Sequence, residues 1–139
     1  MTPQKIHERC LARVQDGTGQ ARTQNSVRCC YSSDGKGGGH KCVVGGFLDP
    51  ENYDPDMEGA SVFHLNTVQG KWRVTDVVAA GWSDIRPSWA RALANALNKQ
   101  GIPATNEIHR VLTAWQYRHD SRDNWEGTRY IGPTDFPRL

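Results

Sequence analysis

Arg28-Cys29-Cys30-Tyr31-Ser32-Ser33-Asp34-Gly35-Lys36-Gly37-Gly38-Gly39-His40-Lys41-Cys42-Val43-Val44-Gly45-Gly46-Phe47-Leu48-Asp49-Pro50 is the stretch on which the reading of this chain turns. Val27 to Ser32 and Lys41 to Leu48 read as two strands. The segment between them, centred on Asp34 to Gly39, is turn chemistry. Together they predict an antiparallel hairpin over residues 26–48 with a long tip. Alternation puts Cys30 and Ser32 on one face of the first strand, with Cys29 and Tyr31 on the other. Cys42 and Val44 share a face of the second. Register is open at this level, so either Cys29 or Cys30 can face Cys42.

Working outward, residues 3–15 read as a helix. Thr2 suits its N-cap and Pro3 its first position. Ile6, Cys10, Leu11 and Val14 fall on one face. Residues 16–25 are polar and glycine-containing, and read as a loop. The connector from Asp49 to Gly59 carries two prolines and five carboxylates (Asp49, Glu51, Asp54, Asp56, Glu58). It lacks the ligand spacing of a calcium loop, and solvated turns with helix caps are the simpler expectation. Ser61 to Val68 and Trp72 to Ala80 are each ambiguous between helix and strand. A helix is expected over 85–100, with Pro87 in its first turn and Gly101 capping its end. Its apolar face is Trp89, Leu93, Ala96 and Leu97. A last helix, capped by Thr105, is expected to run to about Asp120, with Ile108, Val111, Leu112, Trp115 and His119 on one face.

These elements predict an α+β fold. A small antiparallel sheet around the 26–48 hairpin packs against about three helices. With 139 residues, the chain is expected to form one domain, 1–139. The formal net charge of +2 is too small to argue for nucleic acid by itself. No apolar run approaches the roughly 20 residues of a membrane span. The start, Met1 to Ile6, lacks the apolar core of a secretory signal, so a cytoplasmic protein is expected. In that compartment four cysteines are expected as thiols or metal ligands rather than disulfides.

Cys30-Tyr31, then Gly39-x-Lys41-Cys42-x-Val44-Gly45-x-x-Leu48-x-Pro50-x-x-Tyr53-x-Pro55-x-Met57-Glu58-Gly59-x-Ser61-Val62, resembles a motif of small bacteriophage proteins. A second block, Leu112-Thr113-Ala114-Trp115-Gln116-Tyr117-Arg118-His119-Asp120 followed by Trp125, resembles the same group. The likeness covers roughly 28–62 and 112–125. Ser32 stands where the group has Arg, and Val43 where it has Ala. The resemblance implies a viral accessory protein and a fold, more than a mechanism.

Three chemistries are open. Cys29 or Cys30, His40 and Cys42 supply zinc-type ligands across a hairpin, with Cys10 or His119 as a distant fourth. There is no Cys-x-x-Cys, and small buried hydrophobes in strands are the simpler account of the cysteines. Cys42 and His119 would make a nucleophile and base, but Asp120, about 100° round the helix, is badly placed to orient its neighbour. The Gly35 to Lys41 tip offers backbone N–H groups and two lysines to an anion, although it is not a P-loop. Five tryptophans, all in the second half, either fill the core or give a base something to stack on.

The leading expectation is a non-enzymatic phage protein that counters host defence by sequestering a nucleotide-derived immune signal. Its ligand-binding residues would be Arg28, Tyr31, Lys36, Lys41, Cys42, Trp115, Arg118, His119 and Trp125. It needs no cofactor, and a homo-oligomer is compatible with it. The alternatives are a zinc-stabilised interaction or nucleic-acid-binding module, a direct inhibitor of a host defence protein, and a small hydrolase using Cys42 and His119.

Overall fold

The computed structural model describes residues 1–15, 21–22, 29–31, 36 and 44–120. Helix α1 spans Pro3–Gln15, and the Thr2 hydroxyl accepts the Lys5 N–H at 3.2 Å. Helix α3 spans Pro87–Gln100 and ends on Gly101 at φ 76°. There Gly101 N–H donates to Asn98 O and Ile102 N–H to Leu97 O, both at 3.1 Å. Paired bonds of this kind satisfy the last carbonyls of a helix, and the left-handed residue between them favours glycine. Helix α4 spans Asn106–Asp120. The Thr105 hydroxyl accepts the Ile108 N–H at 3.2 Å. All three helices lie where local caps and apolar spacing place them.

The fold is α+β, but its strands pair differently from expectation. Strand β1, Ala21–Arg22, pairs antiparallel with β2, Cys29–Cys30, in the register Ala21↔Cys30 and Arg22↔Cys29. The expected strand over 41–48 is not formed in its second half, where Gly45–Phe47 is a turn of 3-10 helix. Residues 41–43 lie outside the described residues. The cause is steric: a Cβ on Gly45 would lie 2.2 Å from the Tyr31 carbonyl oxygen. Only glycine allows that approach, and Phe47 and Leu48 can then both turn inward, which a strand's alternation forbids.

A second hairpin fills the two ambiguous stretches. Val62–His64 is a 3-10 turn leading into β3, Leu65–Val68. Strand β4, Lys71–Val74, returns antiparallel with Val68 opposite Lys71. Gln69 and Gly70 between them have φ 51° and 76°, the two positive angles of a two-residue hairpin turn. One turn of helix follows as α2, Asp76–Ala79, capped by the Thr75 side chain.

The buried side chains form one cluster. Helix α1 packs on α4, while α3 packs on β4 and on the Pro55–Gly59 turn. Trp72 and Trp115 are both fully buried. Each indole places about 150–250 Å² in the core, at about 25 cal/mol per Å². Their N–H groups are used: Trp72 Nε1 donates to Ile102 O at 2.8 Å, and Trp115 Nε1 to His7 Nδ1 at 3.1 Å. Among the described residues no helix is long and apolar enough to cross a membrane.

Candidate functional site

Tyr31 is the centre of the arrangement that the two resemblance blocks build. Its ring is buried (4% exposed). Its hydroxyl donates to Ala60 O at 2.6 Å and accepts from Gln116 Nε2 at 2.7 Å. Gln116 Oε1 accepts the Val62 N–H at 2.8 Å. The Tyr31 backbone N–H donates to Glu58 Oε1 at 2.7 Å, and the other oxygen of that carboxylate accepts the Tyr53 hydroxyl. Helix α4, through Gln116, therefore clamps the first block at two points, Tyr31 and Val62.

The motif glycines serve the same frame. Gly45 lies against the Tyr31 carbonyl, as described above. A Cβ on Gly59 would meet the Trp89 ring at 2.2 Å, and the Arg86 guanidinium sits 5.2 Å over that ring from its centroid. Trp89 is thus held as a half-buried packing residue. Arg9 covers Phe47 in the same way, 4.3 Å from the ring centroid, and its guanidinium reaches Gly46 O at 3.4 Å. Tyr31 and Val44–Gly45, which flank the glycine-rich stretch 32–43 in sequence, consequently lie side by side.

Two histidines hold the Val62–His64 turn. His109 Nε2 lies 2.9 Å from Val62 O, so that nitrogen carries the proton. The Ser61 N–H donates to His64 Nδ1 at 3.1 Å. Burial outweighs the contact with Ser61 and pushes the His64 imidazole below the ordinary histidine range.

Of the residues expected to bind ligand, Tyr31 and Trp115 belong to the interior, and their polar atoms bond to protein partners. Lys36 is exposed. Arg118 and His119 lie in the last turn of α4, with side chains outside the described residues. Arg28, Lys41, Cys42 and Trp125 also lie outside the described residues. Cys10, a distant candidate for zinc, is buried on α1. Among the described residues no three of His, Cys, Asp and Glu group closely enough to hold a metal ion.

In the acidic connector, Asp49, Glu51, Asp54 and Asp56 are exposed. Asp54 Oδ1 accepts the Asp56 N–H at 2.9 Å as a cap. Glu58 is the exception, since it is drawn into the frame. Its role, like that of Gln116, was signalled only by membership of the motif. Compared with protein-family models, curated proteins and solved structures, the chain matches none of them.

Proposed function

We propose that this is a non-enzymatic viral binding protein that sequesters a nucleotide-derived immune signal of its host. The observation that carries the reading is the frame around Tyr31. The polar side chains of the two resemblance blocks bond to one another or to the blocks' own backbone: the Tyr31 hydroxyl to the Gln116 side chain and the Ala60 carbonyl, and the Glu58 carboxylate to the Tyr53 hydroxyl and the Tyr31 N–H. A catalytic motif would aim such groups at a substrate. Here they brace the point at which a glycine- and lysine-rich segment departs and returns. Sequestration asks for affinity and no chemistry, and backbone N–H groups with lysines are suited to phosphate. Exposed Lys36 supplies one such cation.

Native mass spectrometry of protein taken from cells that make nucleotide signals tests this. The expected result is an added nucleotide mass that is released intact on heat denaturation and lost from a Lys36→Ala, Lys41→Ala double variant. A released hydrolysis product would replace this reading with the enzyme. Zinc as the sole added mass would replace it with a metal-stabilised module. The absence of any added mass would end it and leave a direct inhibitor of a host protein.

A further inference from the structure

We infer that Ser61 and His64 form an acid-operated switch in the Val62–His64 turn: a proton on His64 withdraws the acceptor from the Ser61 N–H, while Val62 stays fixed to α4. The Ser61 N–H donor and the Ser61 hydroxyl both lie 3.1 Å from His64 Nδ1. A backbone N–H can only donate, so Nδ1 is the unprotonated nitrogen and the neutral ring carries its hydrogen on Nε2. A proton added at Nδ1 sets a second donor against the Ser61 N–H. The Ser61 hydroxyl has a choice that the amide lacks. It donates to the neutral ring and, by turning, accepts from the charged one. Protonation therefore breaks one contact and inverts the other.

The next residue is held in the opposite sense. His109 Nε2 donates to Val62 O at 2.9 Å, and a protonated imidazole keeps that donor. Gln116 Oε1 accepts the Val62 N–H at 2.8 Å, and an amide does not titrate. The His64 N–H also stays on Ser61 O, at 2.9 Å. Acid thus acts on the His64 ring and the Ser61 amide, with Val62 as a fixed pivot. Phe63 is 71% exposed, and its ring meets the His64 ring edge-to-face with centroids 5.8 Å apart. A moving imidazole changes the setting of this exposed aromatic, so the switch is read at the surface.

Histidine is the residue type whose ordinary pKa falls between pH 5 and 8. Burial pushes that of His64 below the ordinary range, so the step lies on the acid side of neutrality. The charged and titratable groups on the elements around the turn are Glu107, His109 and Arg110 of α4, Lys71 and Arg73 of β4, and Asp76 of α2. Among the described residues none of them bonds to the His64 ring, whose polar contacts are both with Ser61. The chemistry of the Ser61–His64 pair accordingly governs the step. The switch is independent of the sequestration reading, and either can fail alone.

NMR of the full chain, titrated from pH 7.5 to pH 5, tests it. Long-range proton–nitrogen spectra should show neutral His64 with its hydrogen on Nε2. As His64 titrates, the protection of the Ser61 amide against hydrogen exchange, corrected for the intrinsic rate, should fall about tenfold. That of Val62 should stay within about twofold. His64→Asn, whose amide oxygen accepts without titrating, should abolish the fall at Ser61. Ser61→Ala removes the hydroxyl to which the charged ring can donate, and should lower the His64 midpoint further. The wild-type spectra alone decide the matter if a variant fails to fold. A hydrogen on Nδ1 of the neutral ring, a Ser61 amide indifferent to the titration, or equal losses at Ser61 and Val62 would overturn the inference.

Discussion

The side-chain amide of Asn98 substitutes for a neighbouring strand at Trp72. Its Oδ1 accepts the Trp72 N–H at 2.9 Å, and its Nδ2 donates to the Trp72 carbonyl at 3.0 Å. A helix thereby satisfies both outward backbone groups of an edge strand. Asn98→Leu should destabilise the protein by about 2–3 kcal/mol, because it orphans two half-buried backbone groups at once. Urea denaturation would show a lower midpoint with little change in slope. A change within experimental scatter would mean that water replaces the amide at no cost.

Gly45 and Gly59 each take up a space that a methyl group cannot enter. Gly45 faces a backbone carbonyl, whereas Gly59 faces the ring of Trp89. A backbone shift moves everything bonded to Tyr31, while a half-buried ring has some room to tilt. Gly45→Ala should therefore cost more than Gly59→Ala, the latter about 1–3 kcal/mol. Thermal melts of the two variants give the order directly. A smaller loss at Gly45 would show that Tyr31 is less firmly held than its bonds indicate.

The Tyr31–Gln116 contact joins two parts of the chain far apart in sequence. Tyr31→Phe leaves Ala60 O and the Gln116 amide without their partner and should cost about 1–3 kcal/mol. Combined with Gln116→Leu, the losses should be less than additive, since the partners share one bond. A double-mutant cycle by chemical denaturation measures the coupling. Strict additivity would separate the two blocks energetically.

His64 makes stability depend on pH. Its folded pKa is lowered, so between that value and the unfolded value of about 6.5 the unfolded chain binds more protons. The contribution is therefore complete above about pH 6.5 and lost as the pH falls through the folded pKa. The urea midpoint of the wild type should decline from pH 7.5 to pH 5 more steeply than that of His64→Asn. Parallel declines would assign the acid sensitivity to other groups.

Helices α1, α3 and α4 were legible because their signals are local. Thr2, Pro87, Gly101 and Thr105 sit within a turn of the ends they set. The β3–β4 hairpin was not legible as such, since Gln69 in a left-handed conformation is not a residue that advertises such a turn. Val44 to Phe47 misleads for a different reason. Its β-forming side chains are overruled by the distant Tyr31 carbonyl, and distance along the chain hides that contact. Tyr31 and Trp115 stood out by motif and by size. That their polar atoms turn inward to Gln116, Ala60 and His7 depends on how α4 lies across the first block, which no local pattern encodes.

The contact between Tyr31 and Gly45 ties two positions of the chain together, since the carbonyl oxygen of the one lies where a Cβ on the other would stand. Both residues are buried, so the contact closes a loop of chain on the core. The entropy of closing a flexible loop grows slowly with its length, by about 0.6 kcal/mol for each doubling. In closure entropy, a change in the number of residues between Tyr31 and Val44 is therefore cheap, whereas a methyl group at Gly45 is not.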